Sequence, residues 1–120
     1  MQLKFTIPGT IRIKKNSRRI YGFGKFKKVL PSKAYMEWES QARARFVMEH
    51  FQFPVIDSFC HVEVTAYFKG PEPDLSGILE SVGDCLQGLA WEDDSLIFSW
   101  DGSRKYHNKD NARTEIIVEW

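Results

Sequence analysis

The sequence predicts a single small domain of mixed α and β class, because one strictly alternating stretch is flanked by two helical stripes. From Phe59 to Phe68, Cys60, Val62, Val64, Ala66 and Phe68 fall on one face while His61, Glu63, Thr65 and Tyr67 fall on the other, the period-two pattern of a half-buried strand. Before it, Tyr35, Trp38, Ala42, Phe46 and His50 recur at three- and four-residue spacing, and after it Leu75, Ile78, Leu79, Val82 and Leu86 do the same, the signature of two amphipathic helices. A chain of 120 residues holds one hydrophobic core and is too short for two ordinary domains.

Taken in order, Leu3, Phe5 and Ile7 alternate with polar neighbours and predict a first strand, ended by Pro8-Gly9. Thr10 to Lys14 predicts a second short extended segment. Asn16 to Leu30 mixes Gly, basic and aromatic residues without period, which predicts a loop or loose hairpin suited to contacting a ligand. Pro31-Ser32 is a helix start with Ser32 as N-cap, and that helix is expected to run to about Glu49. Its other face carries Glu39, Arg43, Arg45 and Glu49, the mixed charge of a solvated surface, so the helix is expected to serve packing. Lys69-Gly70-Pro71-Glu72-Pro73 ends the alternating strand. Asp74 then stands in the N-cap position of a second helix, Leu75 to Gln87, closed by Gly88. Gly77 and Gly83 each weaken that helix by about 1 kcal/mol relative to Ala, a cost expected only where close approach repays it. Leu96 to Trp100 and Arg113 to Trp120 read as strands joined through a polar turn at His107 to Asn111.

The hydrophobic share of 42% and charged share of 28% are ordinary for a globular protein, and no apolar run is long enough to span a bilayer. The alternating start is unlike a secretory signal, so a cytoplasmic location is expected, with no membrane partner. Cys60 and Cys85 lack zinc-site spacing and read as core, and His50, His61 and His107 show no metal spacing either. The chain has no P-loop, no G-x-G-x-x-G and no Ser-His-Asp candidate, so no nucleotide cofactor is expected. Trp91, beside several acids, reads as an anchor for the returning chain or as a wedge.

Net charge is only +1, yet the charge is divided along the chain. Residues 1 to 33 hold Lys4, Arg12, Lys14, Lys15, Arg18, Arg19, Lys25, Lys27, Lys28 and Lys33 and no acid. From 70 to 102 the sign reverses, with Glu72, Asp74, Glu80, Asp84, Glu92, Asp93, Asp94 and Asp101 and no Lys or Arg. A basic arm, residues 10–33, interleaved with Tyr21, Phe23 and Phe26, suits nucleic acid, because displacing condensed counterions is a sequence-independent source of affinity. Acids crowded over 72–94 repel one another unless a cation sits among them or they point to solvent from different faces. Asp74 begins a helix and Asp94 follows its end, so the two meet only if the chain folds back along that helix or a partner subunit supplies one of them.

The stretch YFKGPEPDLSGILESVGDCLQGLAWEDDSLI, Tyr67 to Ile97, resembles the signature region of the RusA-type crossover junction endodeoxyribonucleases, a family common in phages and prophages. KKNSRRI (Lys14 to Ile20) and LPSKAYMEWE (Leu30 to Glu39) are similar to the same family, in the same order, so the resemblance covers almost the whole chain. It implies an α+β fold, a small mixed β-sheet packed with two helices. It also implies a homodimer and a Mg2+- or Mn2+-dependent cut across a four-way DNA junction, in DNA recombination and repair. The family's metal-site acids fall on Asp74 and on Asp94 of the Asp93-Asp94 pair, with Asp94 favoured over Asp93. Its helical acid falls on Asp84.

The sequence departs from the family pattern at two places. Ser76 stands where a second Asp is common, and Glu80 stands where a Lys is common. A serine hydroxyl brings no negative charge to magnesium, which leaves Asp84 as the third carboxylate or as a plain surface acid, with Glu80 a weaker candidate. The expectation is thus a junction endonuclease with Asp74, Asp84 and Asp94 on the metal. Lys14, Lys15, Asn16, Arg18, Arg19, Lys25, Lys27 and Lys28 are the DNA contacts. The departures motivate an alternative, a catalytically weakened junction-binding protein of the same fold. A single-strand-binding module is a third reading.

Overall fold

The chain is described here from a computed structural model, which covers residues 1–14, 18–21 and 28–120, with backbone only for 18–21 and 28–31. Strand β1 (Gln2–Pro8) pairs antiparallel with β7 (Arg113–Glu119), and β7 pairs antiparallel with β4 (Cys60–Phe68). On its other side β4 carries two short parallel neighbours, β5 (Ile97–Ser99) near Cys60 and β6 (Arg104–His107) near Phe68. The result is a mixed five-stranded sheet. A separate hairpin pairs β2 (Arg18–Tyr21) with β3 (Lys28–Pro31), so part of the region expected as a loop or loose hairpin is a hairpin.

One face of the sheet is apolar because each strand alternates. Leu3, Phe5 and Ile7 of β1, Val62, Val64 and Ala66 of β4 and Ile116 and Val118 of β7 are all buried in one cluster. Helix α1 (Lys33–Glu49) covers them with Tyr35, Trp38, Ala42 and Phe46, and the Phe5 and Phe46 rings meet edge-on at 5.1 Å. Ser32 is the N-cap of α1, its Oγ accepting from Tyr35 N at 3.1 Å. Helix α2 (Leu75–Cys85) adds Ile78, Val82 and Cys85, with Leu86 just beyond its end, all fully buried. This is the small single-domain α+β fold that the sequence predicts. No helix among the described residues is long and apolar enough to cross a membrane.

Three local expectations change. Thr10 to Ile13 joins no ladder; Ile11 and Ile13 are buried all the same, Ile13 over Gly77 of α2, so their alternation reports core packing and no strand. Helix α2 stops at Cys85, two residues early, since Gly88 takes φ of 84° and its N–H donates to Trp91 O at 2.7 Å, turning the chain back. Strand β6 went unforeseen, because Arg-Lys-Tyr-His has no apolar alternation; the backbone edge of β4 recruits it, and Tyr106 stacks on Tyr67 at 5.6 Å.

The two helix glycines differ. A Cβ at Gly77 would lie 2.8 Å from Ile13 Cγ2, a stiff β-branched methyl, whereas one at Gly83 would meet Asp94 Cβ at 3.6 Å, ordinary contact. Gly77→Ala therefore loses about 1–2 kcal/mol of stability through overpacking, while Gly83→Ala gains up to about 1 kcal/mol from helix propensity. Urea titration of both variants checks the pair, and equal effects of the same sign would refute the notch over Gly77.

Candidate active site

The connection β4–α2–β5 decides where the acids go. β4 and β5 run parallel, with Cys60 opposite Ile97, so α2 must run back along the sheet before β5 can start in the same direction. Asp74 therefore follows the far end of β4, and Asp94 precedes the near end of β5. The ten-residue separation of Asp74 and Asp84 along α2 makes the gap between them about 15 Å at 1.5 Å per residue. Asp74 holds the N-cap position of α2 with an extended backbone and an exposed side chain that makes no capping bond. Within one protomer, then, the fold brings Asp84 and Asp94 together and leaves Asp74 at the opposite end of the helix.

The near end is built from several elements. Asp94 packs over Gly83, and its backbone N–H donates to Gln87 Oε1 at 3.0 Å. Asp93 is the N-cap of a 3-10 turn, Asp94–Leu96, its Oδ1 accepting from Ser95 N at 2.9 Å. Trp91 is fully buried and its Nε1 donates to Gly83 O at 3.1 Å. It anchors the returning chain, and its burial rules out the wedge. Arg43 reaches over from α1 and donates to Cys85 O and Gln87 O at 2.8 and 3.0 Å. The solvated-face expectation for Arg43 is thereby corrected, because it satisfies the orphan carbonyls that end α2 and offsets the negative end of the helix dipole. Glu39, expected on that same face, accepts from the Tyr35 hydroxyl at 2.6 Å.

Asp84 lies one turn after Glu80 on the same helix face, with Glu80 exposed and Asp84 partly buried. The Lys14 ammonium pairs with Asp84 Oδ2 at 3.4 Å. The Asp94 carboxyl is held above its usual range, first by lost hydration, then by a hydrogen bond and charge from Asp93, then by the charge of Asp84. Asp93 is pushed the other way, chiefly by the Ser95 backbone N–H. Beneath them the ground is dry: burial pushes the Cys85 thiol up to about 12, and burial together with Glu39 raises the Tyr35 hydroxyl.

Among the described residues no three His, Cys, Asp or Glu side chains gather into a group that could hold a metal ion. The donor chemistry still suits one kind of ion. Magnesium commonly takes one or two carboxylates and fills its remaining positions with water and phosphate oxygens. Asp84 and Asp94 supply two such carboxylates, and their mutual repulsion is the conflict that a divalent cation removes. Sequence reasoning missed Gln87, Arg43 and Ser81, since a capping amide, a capping guanidinium and a buried hydroxyl leave no periodic or spacing signal.

Of the expected DNA contacts, Lys15, Asn16, Lys25 and Lys27 lie outside the described residues, and Arg18, Arg19 and Lys28 are described by backbone alone, on β2 and β3. Lys14 is described in full and faces Asp84.

A carboxyl raised in the folded state costs stability while ionised, and the cost disappears once pH falls below the ordinary carboxylate range. Asp94→Asn is thus expected to raise the melting temperature of the metal-free protein at about pH 7 and to bring no gain below about pH 4. Thermal melts at both pH values test this; a lower melting temperature at neutral pH would show that the Asp94 charge is not repelled.

A family model described as Endodeoxyribonuclease RusA matches residues 8–119. A search of curated proteins gives no match to the chain. The matched span takes in both helices, β4 and the entire acidic segment, and the chain belongs to the RusA endodeoxyribonuclease family.

Proposed function

We propose that this protein is a metal-dependent, structure-specific DNA endonuclease that resolves Holliday junctions and other branched DNA as a homodimer. The observation that carries the reading is the placement of Asp84 and Asp94 at one end of α2, Asp94 lying over Gly83, in a chain of an endodeoxyribonuclease family. Asp84 and Asp94 would hold Mg2+ or Mn2+, with Asp93 and Glu80 as weaker candidates. An ion held there would offset charge on the scissile phosphate and ease deprotonation of water. In the hydrolysis, a water oxygen bonds to phosphorus and one P–O ester bond breaks, leaving a phosphomonoester and a hydroxyl. Gln87 and Asp93 fix the 3-10 turn that carries Asp94, and Arg43 fixes the helix end that carries Asp84. The arm residues Lys15, Asn16, Arg18, Arg19, Lys25, Lys27 and Lys28 hold phosphates without reading bases.

Asp74 stands about 15 Å from Asp84 along α2, so a set of Asp74, Asp84 and Asp94 closes only across a dimer. Two-fold symmetry supplies two such sites, as paired incisions of a junction require. Asp94→Asn is expected to abolish cleavage of a labelled four-way junction in Mg2+ or Mn2+ while retaining binding; cutting at the normal rate would remove Asp94 from the site. Mixed dimers of Asp74→Asn and Asp94→Asn subunits are expected to regain nicking, since one of their two composite sites is intact. No recovery would show that the two acids do not combine across the dimer, and normal nicking by the Asp74→Asn homodimer would place Asp74 outside the site.

Ser76 and Glu80, which depart from the family pattern, favour a second reading, a junction-binding protein of weakened activity. A shifted junction band without nicked product in either metal selects it, and equal affinity for single-stranded and branched DNA would favour a single-strand-binding module. Replacing Arg18 and Arg19 with Ala is expected to weaken binding to all branched DNA alike and to flatten its salt dependence; unchanged binding across salt concentrations would remove the arm from the reading.

A further inference from the structure

Lys14 belongs to the basic arm in sequence, but the fold sets it against the acidic pair. Its Nζ lies 3.4 Å from Asp84 Oδ2. Two contacts hold the backbone there: Lys14 N–H donates to Oγ of the fully buried Ser81 at 3.3 Å, and Ile13 fills the notch over Gly77. Residues 70–102 contain no Lys or Arg, so any cation at this end of α2 comes from elsewhere in the chain. Among the described residues, Lys14 is the one that forms an ion pair with Asp84.

We propose that Lys14 is a catalytic residue of the cleavage site, its ammonium contacting the phosphate that is cut. The proposal rests on the reading of Asp84 and Asp94 as that site. An ion pair at 3.4 Å between side chains 41% and 29% exposed is weak, since water screens both charges and holding two flexible side chains together costs entropy. An incoming phosphate therefore takes the ammonium at little cost. Lysine suits the exchange, because its compact charge rides on a flexible stem while its backbone stays docked. The contact moves no proton. It offsets charge on the non-bridging oxygens while the water O–P bond forms and the ester P–O bond breaks. A clamp of the flanking strands would act on binding alone, whereas a contact at the scissile phosphate acts on the rate.

The test compares Lys14→Met, which keeps most of the stem, with wild type and with Lys14→Arg. With junction saturated by protein in Mg2+, Lys14→Met is expected to cleave about 100-fold more slowly, while Lys14→Arg recovers most of the rate. In EDTA, junction affinity and its salt slope are expected to stay near those of wild type. Without DNA, calorimetry is expected to show tighter Mg2+ binding by Lys14→Met, because the competing cation on Asp84 is gone. A saturated rate equal to wild type overturns the proposal, as does a loss explained wholly by weaker junction binding with a flatter salt slope. A wild-type protein that binds junctions and cuts none in either metal refutes the cleavage reading itself, and the proposal with it.

Discussion

The parallel pairing of β4 with β5 is the constraint on which the rest of this molecule depends. A parallel neighbour cannot be reached by a tight turn, so the chain must travel back along the sheet, and α2 is that return path. The acids before and after the helix are thereby assigned to opposite ends of it. Asp84, one position from the end of α2, shares its end with Asp94, and Asp74 does not. The same topology explains why so many contacts converge on the turn after α2. Arg43 takes the Cys85 and Gln87 carbonyls and Trp91 the Gly83 carbonyl, while the Gly88 amide and the Gln87 side chain tie the turn to the returning chain.

A second consequence is electrostatic. The acidic segment rests on a layer of fully buried groups, Ile78, Val82, Cys85 and Trp91, in which a further negative charge is disfavoured, as the raised Cys85 thiol shows. Placing Asp84 and Asp94 at the rim of such a layer strengthens their mutual repulsion relative to open water. Lys14 and Arg43 offset part of that charge from one side each, one at a carboxylate and the other at the helix end. Cations and acids that are far apart along the chain are neighbours here because Ile13 packs over Gly77 and the Lys14 amide bonds Ser81, which docks the start of the arm on α2. In this member of the RusA family, the segment that leads to the basic arm thus lies beside the end of α2 that carries Asp84.

Sequence alone determined the elements whose signal is local. Alternation specified β1, β4 and β7, and Ser32 with the Tyr35, Trp38, Ala42 and Phe46 stripe specified α1 to the residue, because capping and periodic burial act over one or two turns. It also sufficed for the family, since several motifs in fixed order survive without knowledge of their contacts. Tertiary structure decided what depends on distant partners: that Ile11 and Ile13 pack without a ladder, that β6 forms on a borrowed edge, that Arg43 caps a helix other than its own, and that Trp91 is an anchor. It decided the acids as well. Asp74, Asp84 and Asp94 look equivalent as letters, and only the direction in which α2 returns along the sheet separates the first from the other two.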